Sequence, residues 1–289
     1  MVGGEIVMNG VHSFKTFTRN GIAFKMEDFE IMVMIMSALS WRRYNGKIKL
    51  YADDVFAKFV YDNNLAFLWD NGIDIKILSE PKENINRNIF WAASKMDVIN
   101  EMEINEVHMD IDFAAWGEMS SFLQKDFDVI VSHFEGVHEF DCYIHKDELV
   151  PPKDYVFNKN LDWEFPAINT SFLMFKNKEA KDIFCKECIR YMENNDTELP
   201  QSAQMVFAEQ RLTAMALKFK GMKIETLSNV ESCQNGTTNF IHLGGLKTQM
   251  KRDHNAKEHF NLACANRLTL SFPEYLDKFK QINCLKKYF

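Results

Sequence analysis

Two carboxylates one residue apart, Asp110 and Asp112, end the apolar run Val107-His108-Met109-Asp110-Ile111-Asp112-Phe113. In an extended chain Val107, Met109 and Ile111 face one way, and His108, Asp110 and Asp112 the other. Carboxylates sharing one side of a strand end repel unless a cation lies between them, and a divalent ion with hard oxygen ligands is the obvious partner. Such an ion neutralises a pyrophosphate leaving group by Lewis-acid catalysis. Roughly one Asp-x-Asp arises by chance in a chain this long, so the pattern needs context. A second one, Asp126-Phe127-Asp128, precedes its apolar run and is read as a loop entering a strand. For Asp110 and Asp112, position alone leaves a metal site and a solvated strand end both open.

The other candidates each have a chemical and a structural reading. His242 follows Phe240-Ile241 and precedes Gly244-Gly245. An imidazole completes a carboxylate metal site, and glycines let backbone N–H groups approach phosphate; the alternative is a loop histidine. Lys247, Lys251 and Arg252 form a basic cluster that either clamps phosphates or is a solvated turn. Lys95, one helical turn after Trp91, either faces a ligand or snorkels at a helix border. Asp53, at a strand end, either accepts from a nucleobase or caps the helix from Val55 onward. Glu209, beside Gln210 and Arg211, either orients an acceptor hydroxyl or belongs to a charged surface helix. Asn169, polar in a strand expected to be buried, must bond to a sugar hydroxyl or to the backbone. His133 and His138 flank Glu135 in a loop after a strand. Cys185-x-x-Cys188 lies within an apparent helix without a second cysteine pair, and is read as two small helix residues rather than a zinc or redox site.

Helices are expected over 26–41, 55–68, 88–102, 178–194 and 202–219, with a last one near 273–283. Strands are expected over 47–51, 74–78, 107–111, 127–132 and 169–175, with an irregular excursion over 141–166 and a loop over 228–240. Strands alternating with helices argue for an α/β fold with a mostly parallel sheet flanked by helices. In such sheets ligands lie beyond the carboxyl ends of the strands, which makes the polar residues after each strand the site candidates. The 289 residues, 46% hydrophobic and 26% charged, with 12 Gly and 6 Pro, describe an ordinary globular chain. A net charge of −7 argues against non-specific polyanion binding. Six scattered cysteines argue against a disulfide framework. The start of the chain lacks a secretory signal pattern, and the apolar stretch Ile31 to Leu39 is too short for a transmembrane segment, so a cytoplasmic location is expected.

The run from Val107 to Phe113, followed by Trp116, resembles the Asp-x-Asp strand of GT-A-type glycosyltransferases. Further segments are similar over most of the chain. Lys49-Leu50-Tyr51-Ala52-Asp53 resembles the strand whose terminal acid lies near the nucleotide base. Phe90-Trp91-Ala92-Ala93-Ser94-Lys95 resembles the helix whose basic residue faces the donor. Phe165 to Phe172 resembles the strand under the sugar, and Ala208-Glu209-Gln210-Arg211-Leu212 the acidic helix on the acceptor side. Ile241-His242-Leu243-Gly244-Gly245-Leu246-Lys247 resembles the C-terminal His-x-x-Gly-x-x-Lys element, which supplies a metal ligand and a phosphate-binding lysine. This chain carries the bulky Ile111 between its aspartates, and its His242-to-Lys247 spacing is one residue shorter than the glycogenin-like form.

The resemblance implies a single GT-A-like (Rossmann-like) domain over 1–289, with a nucleotide-binding half at about 1–115 and an acceptor-side half at about 116–289. It implies a metal-dependent glycosyltransferase, hexosyl or pentosyl, moving a sugar from a nucleotide-diphosphate sugar to an acceptor hydroxyl. Manganese or magnesium would be held by Asp110, Asp112 and His242. Asp53, Lys95, Asp110, Gln210, Gly245 and Lys247 would bind substrate, and Glu209 and Asn169 would be catalytic. A glycan, a lipid-linked sugar, a protein or a modified base would be the acceptor. The alternatives are a non-catalytic nucleotide- or sugar-binding protein of the same fold, or a metal-dependent nucleotidyltransferase, for which a Gly-rich phosphate loop near the N-terminus is missing.

Overall fold

A computed structural model describes residues 8–16, 24–79, 84–197 and 201–289. The elements run β1 (Gly10–Phe14), α1 (Asp28–Tyr44), β2 (Ile48–Ala52), α2 (Asp54–Asp62), β3 (Ile73–Asp74), α3 (Lys76–Ser79), α4 (Ala93–Glu101), β4 (Val107–Met109), β5 (Phe113–Ala115), β6 (Val129–Glu135) and β7 (Ala167–Phe175). They continue with α5 (Lys178–Met192), α6 (Gln201–Val206), a π-helical stretch (Phe207–Leu212), α7 (Thr213–Phe219), β8 (Ile224–Thr226), α8 (Val230–Gln234), β9 (Phe240–His242), α9 (Leu246–Arg252), α10 (His254–Ser271) and α11 (Leu276–Phe279).

The chain divides into two compact units. The first comprises 1–75, 109–120 and 238–289, and the second 76–108 and 121–237. In the first, β3, β2 and β1 lie side by side, all parallel, and β5 pairs antiparallel with β9 in a separate two-stranded ribbon. Helix α1 is buried along nearly its whole length, from Phe29 to Trp41, and packs against β5 and α10. Its Met/Ile/Leu sequence has no polar face because it has no solvent face. The Trp41 indole donates to the Met8 carbonyl at 3.2 Å and lies so close to Gly10 that a Cβ there would stand 2.6 Å from the ring nitrogen, so only glycine fits.

In the second unit β7, β6 and β8 lie in that order; β8 runs parallel to β6 and β7 antiparallel to it. The register of β6 slips between Val131 and His133, a bulge of the kind that re-aims side chains at a strand end. Helix α5 packs on α4, on α7 and on the π-helical stretch. The α/β class and the mostly parallel strands are as expected from the sequence.

Several element expectations are corrected. The strand expected over 107–111 stops at Met109, because the Phe113 N–H closes a turn onto the Asp110 carbonyl at 2.9 Å. Asp110 and Asp112 thus flank a turn rather than alternate along a strand. The strand expected over 74–78 is only Ile73–Asp74, and the chain then turns into α3. Helix α4 begins at Ala93, so Trp91 precedes it and shares no helix face with Lys95. The loop expected over 228–240 contains α8. The tail, expected to hold a helix near 273–283, also contains the 18-residue α10, whose half-exposed, irregularly spaced apolar residues give little helical periodicity. No helix among the described residues is long and apolar enough to cross a membrane. All six cysteines are free thiols, and Cys185 and Cys188 are buried within α5.

Candidate functional site

Asp110, Asp112 and His242 converge in the first unit, each offering a ligand atom within 4.8 Å of the others. The turn after β4 supplies the two aspartates, and the β5–β9 ladder brings in His242, the partner of Phe113 in the register. The His242 Nε2 atom is 3.7 Å from Asp110 Oδ2 and 3.7 Å from Asp112 Oδ1. A six-coordinate ion with bonds of about 2.1 Å sets adjacent ligands about 3 Å apart and opposite ones about 4 Å apart. The two histidine–carboxylate spacings fall between these, and two carboxylates with one imidazole suit manganese or magnesium in softness and charge. The residues therefore fit a divalent cation.

Asp112 is divided in use. Its Oδ1 faces His242, while Oδ2 accepts the Gly244 backbone N–H at 3.2 Å and pairs with Lys247 Nζ at 2.8 Å. Gly244 has φ of +44°, a left-handed turn suited to glycine that brings its N–H onto the carboxylate. Burial would lower the Lys247 pKa, but Asp112, Asp110 and Glu30 outweigh it and hold the ammonium above its ordinary range. Lys251 pairs with Glu30 at 2.8 Å. Gly245 is exposed beside this turn. Asp53 caps α2: Oδ1 accepts from Phe56 N–H, and Oδ2 from the Thr16 N–H, each at 2.9 Å, and also from the Thr16 hydroxyl.

The second unit gathers the remaining candidates into two joined polar clusters. Lys95, 6% exposed, donates to the Thr170 carbonyl at 2.7 Å and Oγ1 at 3.2 Å, and pairs with Glu209 at 2.8 Å. The Thr170 hydroxyl donates to the same Glu209 oxygen at 2.6 Å. Glu209 and Gln210 lie in the π-helical stretch, a geometry frequent at functional sites. In the second cluster Asn169 donates to Glu135 at 2.8 Å and accepts the Ser171 N–H at 3.1 Å. The Tyr143 hydroxyl donates to Glu135 and lies 2.8 Å from the Gln210 amide oxygen. His133 Nε2 donates to Glu135 at 3.0 Å, while its Nδ1 faces Ser132 and, at 3.6 Å, the Cys233 thiol.

Glu135, expected with His133 in a loop after a strand, instead lies with it inside β6 and is the hub of this cluster. Burial would raise its pKa, but the hydrogen bonds from His133, Tyr143 and Asn169 outweigh it and hold the carboxyl below its usual range. The signal was three apolar positions before Ser132-His133-Phe134-Glu135 at a strand end, but nothing local announces Tyr143 and Asn169 as donors. His138, by contrast, is exposed and pairs with Glu164 at 3.1 Å. The Asp126/Asp128 pair precedes β6 as read from the sequence. Asp126 pairs with Lys223, and Asp128 accepts the Lys223 N–H and the Asn177 amide, each at 2.8 Å.

No family model matches the chain, and no curated protein matches it. Solved structures similar to it include the PaToxG glycosyltransferase, at 10% identity over 98% of this chain and 86% of that one, with a TM-score of 0.45. Another is the WbbM bifunctional glycosyltransferase, at 10% identity over 84% of this chain and 46% of that one, with a TM-score of 0.45. A third is the 4-diphosphocytidyl-2C-methyl-D-erythritol synthase of Anaerococcus prevotii, at 11% identity over 78% of this chain and 87% of that one, with a TM-score of 0.37.

Proposed function

We propose that the protein is a metal-dependent glycosyltransferase of GT-A type, acting as one functional domain and transferring a hexose or pentose from a nucleotide-diphosphate sugar to an acceptor hydroxyl. The observation that carries this reading is the Asp110–Asp112–His242 group with Lys247 on the outer oxygen of Asp112. Bound there, manganese or magnesium would neutralise charge on the departing diphosphate. Lys247 and the Gly245 N–H of the glycine turn would complement the same phosphates. The nucleobase is assigned to the end of β2 at Asp53.

The transfer step is assigned to Asn169 and Glu209, with Lys95 and Gln210 binding substrate. Glu209 shares its carboxylate with Lys95 and Thr170, which favours a role in holding a hydroxyl or a developing charge over strong general-base action. The acceptor is a glycan, lipid-linked sugar, protein or modified base, and the setting is cytoplasmic. The engagement of Glu209 by Lys95 and Thr170 also favours, as a second reading, a nucleotide-sugar-binding protein without transfer.

The test is a panel of nucleotide-sugars incubated with the full chain and Mn²⁺, with and without EDTA, scored for binding and for release of nucleoside diphosphate. Metal-dependent binding with release supports transfer. Binding without release across many acceptors supports the second reading, and no nucleotide binding in the presence of Mn²⁺ overturns both.

A further inference from the structure

Phe113 and His242 face each other across the β5–β9 ladder. The Leu243 N–H bonds to the Asp112 carbonyl and the Trp116 N–H to the Asn239 carbonyl. Those two bonds mark Asp112/Leu243 as a hydrogen-bonded pair, so Phe113/His242 is a non-hydrogen-bonded one. The Phe113 carbonyl therefore points out of the ladder. Among the described residues the ribbon has two strands, and a buried carbonyl takes a donor from outside it.

The Ser37 hydroxyl of α1 donates to the Phe113 carbonyl. Ser37 Oγ lies 2.9 Å from His12 Nε2, and His12 Nδ1 lies 3.3 Å from the Trp69 indole nitrogen. An indole N–H can only donate and a carbonyl can only accept, so both ends fix the direction. Trp69 donates to His12 Nδ1, the His12 Nε2–H donates to Ser37, and Ser37 donates to Phe113. His12 and Ser37 are wholly buried, and all four residues belong to the first unit. The imidazole is neutral: burial pulls its pKa down to about 3, against the raising influence of Asp110 and Asp112.

We propose that His12 and Ser37 are positioning residues for the metal centre, clamping the Phe113 carbonyl so that Asp112, next in the chain, and His242, opposite in the ladder, keep the spacing a divalent ion requires. The proposal rests on the metal-dependent reading above. Partners bonded directly to metal ligands change metal affinity by about 10- to 100-fold, and this clamp, one residue removed from Asp112, is expected to act at the lower end of that range.

The test measures Mn²⁺ affinity of the full chain by electron paramagnetic resonance titration without nucleotide, with thermal denaturation of each metal-free variant as the folding control. Ser37→Ala and His12→Leu are expected to weaken Mn²⁺ binding by about tenfold or more. His12→Gln, whose amide N–H replaces the Nε2–H, is expected to hold near the native affinity. So is Ser40→Ala, whose buried hydroxyl bonds within its own helix, to the Ser37 carbonyl at 3.1 Å. Ser37→Ala and His12→Leu cut the same chain at different links, so either one that folds decides the matter. Native affinity in a folded Ser37→Ala or His12→Leu variant, or an equal loss in Ser40→Ala, overturns the positioning role while leaving the metal reading standing. A native protein that binds no Mn²⁺ overturns that reading and this inference together.

Discussion

Lys247 Nζ sits 2.8 Å from Asp112 Oδ2, while Oδ1 of the same carboxylate faces His242 at 3.7 Å. One aspartate thus bridges an ammonium and the space suited to a divalent ion. Without metal, two carboxylates and one ammonium leave the centre with a net negative charge, which repels a diphosphate. A bound divalent ion reverses that sign. Charges about 4 Å apart at an effective dielectric near 20 interact by about 4 kcal/mol, ample for a large change in affinity. Nucleoside diphosphate binding is therefore expected to fall at least about tenfold when Mn²⁺ is removed with EDTA. Isothermal titration checks this, and equal affinity with and without metal refutes the sign reversal.

The same geometry separates Lys247 from the metal ligands. Lys247→Met removes a phosphate partner but also a cation competing for Asp112. Mn²⁺ affinity is expected to hold or tighten, while diphosphate affinity falls by about 1.5–3 kcal/mol, the typical worth of a hydrogen bond to a charged group. Asp112→Asn is expected to abolish the metal dependence of nucleotide binding with the fold intact. A Lys247→Met protein that loses Mn²⁺ would show that this lysine shapes the metal centre rather than serving phosphate.

The Asp110–Asp112–His242 group was legible because aspartates after an apolar strand and a histidine before paired glycines are chemical choices visible residue by residue. Its backbone was not: the turn at Asp110–Phe113 depends on the β5–β9 pairing, which no local pattern encodes. Strand β1 went unread because Gly10-Val11-His12-Ser13-Phe14 lacks clean alternation, although its histidine is wholly buried. His12, Ser37, Trp69 and Phe113 come from four separated stretches, and their chain of donors exists only after packing. Glu135 was hidden for the same reason, since its donors Tyr143 and Asn169 arrive from a loop and a neighbouring strand.

The buried Lys95–Glu209 pair makes an asymmetric prediction. Removing one partner leaves a buried charge without its counter-ion, which costs about 3–5 kcal/mol, whereas replacing both with apolar groups is often neutral. Glu209→Gln is expected to lower stability in urea by an amount in that range, and Lys95→Met with Glu209→Leu to recover most of it. A double variant that loses the sum of the Lys95→Met and Glu209→Leu single losses would show that each residue acts independently of the other.

His12 gives the pH dependence. Burial holds its folded pKa at about 3, far below the ordinary value of 6.5, so between these limits the unfolded chain binds a proton that the folded chain refuses. Stability then rises with pH through that window, by up to about 1.4 kcal/mol per pH unit for one proton, and its contribution is complete above about pH 6.5. As pH falls from about 6.5 toward 3 it is lost progressively, with no metal or nucleotide involved. The urea midpoint of the native protein is expected to fall between pH 6.5 and 5, a range in which most carboxylates remain charged. His12→Gln, which keeps the donor but cannot titrate, is expected to flatten that slope by the one-proton amount. An identical slope in His12→Gln would mean that the acid sensitivity belongs to another group and that His12 is not held neutral by the fold.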